Sequence, residues 1–457
     1  MKRLCIISGF FPPVGGSGVQ RVYKHTKYLK EFGWDCVVIT RATPYYFVFD
    51  ESLIEELPPG LEVYRTFSLD YGFLKRLFGK QRDKIVEDRR WDPAEIRKLK
   101  LSNLIRLFFL VPDGLIGWIP FAFLRALRLR KRVDAYYLRM PPWSTGYLAP
   151  LLKIFTKKPV LADYSDEWTT DNVDFIIRPH FRQWMERCVE KIMIWGTKWV
   201  SFSTESSKRL YEEKYPEYAY KFRVILNGYD EEDFKAIEPL PRNNEKLILS
   251  QVGSLEDRIE PRGYTTSLVS FFLALRALND EYPALEHNLE VRFVGFLGER
   301  SKKMITELGL EGVIKICGYK AHREALRELV TSDALLLILF SKGNGPRVIP
   351  GKLFEYLRAR KPILALAPEE GESARLIKLY NAGVVVPPDD IQLIKEKLLE
   401  FIRLKKEGGL SKWEFSSEPL ERLSRRNSTK TLVQILEECV SGGTNRNSFC
   451  TGVFGGN

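Results

Sequence analysis

The chain has 457 residues, which at roughly 100–200 residues per domain suggests two to four domains. Hydrophobic residues make up 44% and charged residues 28%, which excludes a mainly disordered chain. The net charge is +12, and sixteen basic against six acidic residues between Phe73 and Arg132 carry most of the excess, so a local anionic partner is favoured over a nucleic-acid-coating role.

In chain order, Arg3–Ser8 reads as a strand, Val19–Phe32 as a helix ended by Gly33, and Asp35–Thr40 as a second strand. Strands follow at Ala135–Leu138, Val160–Asp163 and Trp199–Thr204. After the polar stretch Glu238–Glu245 a second series begins, with strands at 247–252, 290–295, 314–318, 334–339, 363–367 and 383–386. Helical patterns at 266–278, 324–332, 352–358 and 392–404 separate them. Strands alternating with helices predict an α/β architecture: two Rossmann-like, doubly wound domains facing each other across a cleft, with ligands at the carboxyl ends of the strands. The expected domains are 1–235 and 236–410, then a helical segment 411–440 able to pack back on the first domain, and a disordered Gly/Ser/Asn-rich tail 441–457.

Six scattered cysteines, with no CxxC pair, read as reduced cytosolic thiols. The most apolar window, 101–127, is broken by Arg106, Asp113 and Arg125, so no membrane span is expected.

Pro12-Pro13-Val14-Gly15-Gly16-Ser17-Gly18 stands between the first strand and helix. Gly15, Gly16 and Ser17 let backbone N–H groups approach an anion at a helix start. Arg21 occupies the third-glycine position of a dinucleotide fingerprint, and no GK[ST] ending follows. A tight turn without ligand is the plain alternative. A second glycine-rich helix entry, Gly343-Asn344-Gly345-Pro346 to Pro350-Gly351-Lys352, offers Gly351 N–H and the Lys352 charge to phosphate oxygens. Asp163 and Asp166 end a strand, where they either meet acceptor hydroxyls or cap the next helix; Asp166, beside Trp168, is preferred.

These segments resemble family 4 glycosyltransferases of GT-B fold. The similarity runs from the PPxxGGSG loop and Gly33-Trp34-Asp35 through Asp163-Tyr164-Ser165-Asp166-Glu167-Trp168-Thr169 and Ile225-Leu226-Asn227-Gly228-Tyr229-Asp230. It ends at Gly351-Lys352-Leu353-Phe354-Glu355-Tyr356-Leu357 and Lys361-Pro362. The resemblance implies a nucleotide-diphospho-sugar donor and a saccharide or lipid-linked acceptor. It further implies retention of configuration, a role in cell-surface polysaccharide synthesis, and no metal or other cofactor. Glu355 matches the second Glu of the family's E-x7-E motif, which accepts the donor ribose hydroxyls; a helix-surface pair with Arg358 is its alternative. Arg347 stands where the first Glu belongs, which leaves sugar identity open. Gly253 ends a strand and is followed by Arg258 and Arg262, where the family often neutralises the diphosphate. Glu372 heads a helix that helps bind sugar or phosphate, or is a plain helix-start charge.

The resemblance casts Arg258, Lys352 and Asp166 as catalytic residues and Gly15, Gly16, Ser17, Gly253, Arg262, Gly351, Glu355 and Glu372 as donor-binding residues. The basic, apolar-interleaved segment 73–132 suits an anionic membrane surface, giving a cytoplasmic protein peripheral on the inner face of the cell membrane, with a solvated basic face and no partner as the alternative. No nucleic-acid module accompanies the charge. A GT-B nucleotide-sugar epimerase and a non-catalytic nucleotide-binding protein are the rivals.

Overall fold

Continuous apolar strands such as Leu4-Cys5-Ile6-Ile7 and Val37-Val38-Ile39, all nearly or wholly buried, have no polar face to give to water. They require helices on both sides, the environment of a parallel sheet. The computed structural model describes residues 1–42, 49–69, 111–171, 173–176, 178–235, 237–241, 245–255 and 267–441. Expectations for 73–110, Arg258, Arg262 and the tail beyond Ser441 lie outside these residues.

Among the described residues the first sheet has β1 (Lys2–Ile7), β2 (Trp34–Arg41), β3 (Glu62–Thr66), β4 (Ala135–Met140), β5 (Val160–Tyr164), β6 (Trp199–Phe202) and β7 (Phe222–Val224), in the order β3-β2-β1-β4-β5-β6-β7. Every pairing is parallel, with Cys5 beside Val37 and Leu4 beside Ala135. The edges β3 and β7 lack the apolar run that marks a central strand, and the sequence reading passes over both. The predicted helix 19–32 is α1 (Ser17–Tyr28) plus a 3-10 turn, closed by Gly33 at φ 79, a left-handed stop suited to glycine. Helices α2 (Ile119–Leu129), α3 (Leu148–Thr156), α4 (His180–Gly196) and α5 (Glu205–Lys214) follow.

The second sheet holds β8 (Leu247–Val252), β9 (Leu289–Val294), β10 (Ile314–Gly318), β11 (Ala334–Ile338), β12 (Ile363–Leu366) and β13 (Gly383–Val386), ordered β10-β9-β8-β11-β12-β13 and again parallel. Its helices are α6 (Ser267–Glu281), α7 (Glu299–Glu307), α8 (His322–Thr331), α9 (Gly351–Ala359), α10 (Glu372–Leu379) and α11 (Ile391–Lys406). The strand order reverses between β1 and β4 in one sheet and between β8 and β11 in the other. Those are the switch points where doubly wound sheets open a crevice. Among the described residues no helix is long and apolar enough to cross a membrane.

The chain forms two units, one of residues 1–227 with the helix from Arg425, the other Gly228–Ser424. The break therefore falls before the expected 235, and 411–424 stays with the second unit. The reason lies in anchoring. Asn227 Oδ1 accepts from Arg21 (3.1 Å) and Arg425 (3.0 Å), whereas Tyr229 N–H already donates to Leu423 O at 3.0 Å. The last helix, α12 (Arg425–Ser441), buries Leu432, Val433, Ile435 and Leu436 against Leu4, Ile6 and Trp34 of the first unit. Of the cysteines described, Cys5, Cys36 and Cys439 are buried free thiols.

Candidate functional site

In the first unit the Pro12–Gly18 loop leaves the carboxyl end of β1 at the switch point. Gly15 is buried, Gly16 holds φ 86 as the residue before α1, and a Cβ on Gly18 would meet nothing within 4 Å. No side chain caps α1, so its first N–H groups are not consumed by a Ser or Asp. Ser17 is the first helical residue.

Arg21 explains its departure from the dinucleotide pattern. Its guanidinium is fully buried and grips Asp163 with both arms, Nε to Oδ2 at 2.8 Å and Nη2 to Oδ1 at 2.9 Å. Tyr137 OH (2.6 Å) and Ser201 Oγ (2.8 Å) donate to the same carboxylate, and Arg139 lies at 3.3 Å. Burial alone would raise the Asp163 pKa; the guanidinium groups of Arg21 and Arg139 and the hydrogen bonds hold it well below the usual carboxylate range. Asp163 is thus a structural anion joining α1 to β5, with no face for an acceptor.

Asp166, three residues on, is exposed. The chain after it is clamped from behind. Glu186 accepts from Trp168 Nε1 at 3.1 Å, and Glu190 accepts from Tyr211 (2.7 Å), Tyr215 (2.8 Å), Lys214 (2.7 Å) and Thr169. Trp168 stacks on Trp143 at 5.1 Å and is buried, so it anchors this segment within the unit instead of closing a pocket beside Asp166.

In the second unit the predicted residues gather at the carboxyl end of the sheet. Gly253 follows β8 at φ 103 and Gly295 follows β9 at φ 135, where a Cβ would run into the Gly253 carbonyl carbon at 2.7 Å. A Cβ on Gly253 itself would lie 3.6 Å from Lys352 Nζ. The ammonium therefore sits over bare backbone at the switch point. Tyr356 fixes this geometry by accepting from Val252 N–H at 2.8 Å, tying α9 to the end of β8. Gly351 opens α9 after Pro350, with no side-chain cap and open space where its Cβ would be. Densely surrounded though still reached by solvent, Lys352 has its pKa pushed down by burial to about 8, with the Glu355 carboxylate pulling it back up.

Glu355 lies one turn along α9, partly exposed, and accepts or shares a proton with His322 Nε2 at 3.0 Å. The alternative pairing with Arg358 is absent. Arg358 forks onto Glu231 at 2.7 and 2.5 Å. His322 begins α8, and its Nδ1 lies 3.8 Å from Asp233 Oδ2. Sequence reasoning missed His322 because a lone histidine carries no spacing signal for a partner 33 residues away. Glu372 is buried in the first turn of α10, and the neighbouring Ser373 Oγ donates to Val348 O at 2.7 Å, fastening the loop before α9 to α10. The structure thus collects Gly253, Gly351, Lys352, Glu355 and Glu372 in one unit, while Gly15, Gly16, Ser17 and Asp166 belong to the other. Among the described residues no three His, Cys, Asp or Glu side chains converge as a metal cage.

No family model and no curated protein matches the chain. Solved structures do match its fold. A glycosyltransferase from Rickettsia africae aligns at TM-score 0.57 with 16% identity, over 97% of this chain and 99% of that one. Sucrose-phosphate synthase from Thermosynechococcus elongatus aligns at 0.61 with 14% identity, over 97% and 100%. A candidate UDP-N-acetylglucosamine 2-epimerase from Listeria monocytogenes aligns at 0.54 with 9% identity, over 98% and 100%. At these identities the likeness is one of fold: this chain has the two Rossmann-like parallel-sheet domains of the GT-B architecture.

Proposed function

We propose that the protein is a glycosyltransferase that moves a sugar from a nucleotide-diphospho-sugar donor to a hydroxyl of a saccharide or lipid-linked acceptor. The reaction proceeds with retention, in cell-surface polysaccharide synthesis on the cytoplasmic side of the membrane. The observation that carries this reading is the group at the β8–β11 switch point: Lys352 over Gly253, the uncapped start of α9, and Glu355 one turn on. A cation with free N–H groups suits a diphosphate, and a carboxylate at that spacing suits a ribose diol. Departure of the nucleoside diphosphate adds negative charge, and preorganised cations and N–H groups absorb it without a metal. In this reading Asp166 contacts the acceptor, and Arg258 and Arg262 supplement Lys352.

Two outcomes test the reading. Nucleoside diphosphate release should require acceptor and persist in excess EDTA; loss on chelation restored by Mg²⁺ or Mn²⁺ would assign the leaving-group work to a metal. The same assay separates the epimerase fold-mates, because acceptor-independent interconversion of the donor sugar would replace transfer. Glu355→Gln should weaken donor binding roughly tenfold, since an amide accepts a diol less strongly than a charged carboxylate. Titration calorimetry on a folded variant checks this, and an unchanged affinity would remove Glu355 from the ribose site.

A further inference from the structure

Three helices on one flank of the first sheet, α2, α3 and α4, contribute no exposed carboxylate to the surface they turn to solvent. α3 and α4 lie in close contact: a Cβ on Gly196 would meet Pro150 N at 2.3 Å, and Lys153 sits 3.9 Å over the Trp195 ring. α2 joins them through the edge-on pair Phe123–Phe155 at 5.6 Å.

The exposed residues of α4 are His180 and then Phe181, Trp184, Arg187, Cys188, Lys191, Ile192 and Trp195, which recur every three or four positions along one stripe. Its only carboxylates, Glu186 and Glu190, are buried, each occupied by the partners that clamp the Trp168 segment. α3 adds Ile154 and Phe155 beside Lys153, and α2 adds Leu124 beside Arg128. The apolar members are large and well out in solvent, with Trp184 at 65%, Phe155 at 58% and Ile192 at 53% exposure. Glu217, paired with Lys191 at 2.8 Å, is an acid at the border.

A contiguous exposed patch of this kind marks an interaction surface. Its composition selects the occupant. A second copy would set Arg128, Lys153 and Arg187 against the same cations, and the three helices offer no exposed acid to answer them. A nucleic acid would gain from the cations but would leave Ile154, Phe155 and Ile192 without an apolar partner. A bilayer interface with anionic headgroups satisfies both, because tryptophan rings settle at headgroup depth and cations meet lipid phosphates.

We propose that the α2–α3–α4 face docks the protein on the interfacial layer of an anionic lipid leaflet. This goes beyond the transferase reading and does not depend on it. The expected segment 73–132 shares α2 with this face, and its residues 73–110 lie outside the described ones.

The test is sedimentation of the full chain with phosphatidylcholine vesicles, with and without phosphatidylglycerol. Binding should require phosphatidylglycerol and fall with salt. The Trp184→Asp/Ile192→Asp variant should bind about tenfold or more weakly, through lost apolar insertion. Arg128→Glu/Arg187→Glu should lose roughly twenty-five-fold or more, at about fivefold per cation. All four positions are exposed, and unchanged melting curves would verify that both variants fold. Equal sedimentation with the two vesicle types would overturn the proposal. So would undiminished binding by the Trp184→Asp/Ile192→Asp variant, or a wild-type dimer that this variant dissolves.

Discussion

Lys352→Ala is expected to lower turnover roughly a hundredfold or more while weakening donor binding much less. The ammonium sits over the bare backbone of Gly253, at the start of an uncapped helix, where a departing diphosphate would gain its charge. An interaction that strengthens as charge develops acts on the transition state more than on the ground state. Removing one such preorganised donor costs about 3 kcal/mol of barrier. The pH dependence follows from the same residue. Burial pushes the Lys352 pKa down to about 8, so in the donor-free protein the charge is present below that pH and is lost as pH rises through it. Donor affinity should therefore decline above about pH 8 in the wild type and lose that decline in Lys352→Ala. A turnover loss equal to the affinity loss would reduce Lys352 to a binding residue, and a flat wild-type pH profile would detach it from the diphosphate.

Asp163→Ala should be the most destabilising of the substitutions considered, by about 3–5 kcal/mol, because it strands the buried guanidinium of Arg21. Chemical denaturation would read this directly. Removing both partners, as in Asp163→Ala/Arg21→Met, should cost less than the two single changes added together, since no buried charge is then left uncompensated. The sign with pH is fixed by the direction of the shift. The folded-state pKa of Asp163 is depressed, so its contribution is complete above the unfolded carboxylate pKa of about 4 and is lost as pH falls through the lower folded value. The stability gap between wild type and Asp163→Ala should accordingly hold at neutral pH and close only in strong acid. A variant as stable as wild type at pH 7 would show that this network contributes nothing to the unit.

Much of the architecture was legible because a parallel sheet writes itself as buried apolar runs. The segment 247–252 coincides with β8, and 334–339 and 363–367 cover β11 and β12, all three buried along their length. The edges of the first sheet were not legible. Glu62-Val63-Tyr64-Arg65-Thr66 is a strand only because β2 offers its free edge, and Phe222–Val224 only because β6 does. Local composition carries no record of a neighbour's unpaired N–H and C=O groups.

The candidate site divides in the same way. By itself the sequence determined the α/β class, the glycine-rich turns after strands, and the placement of Lys352 and Glu355 one helical turn apart on one face, all consequences of periodicities of two and 3.6 residues. Only the tertiary structure decided which carboxylates face solvent. The sequence reading prefers Asp166 over Asp163 because Trp168 stands beside it, whereas what separates them is Arg21, 142 positions from Asp163, which pairs with the buried Asp163 while Asp166 is exposed. Likewise Glu186 and Glu190 turn inward to meet Trp168 and Tyr211, which strips α4 of surface acid, and His322 reaches Glu355 from another helix. Such pairings join residues far apart in the chain, and a buried charge goes wherever the fold supplies its counter-charge.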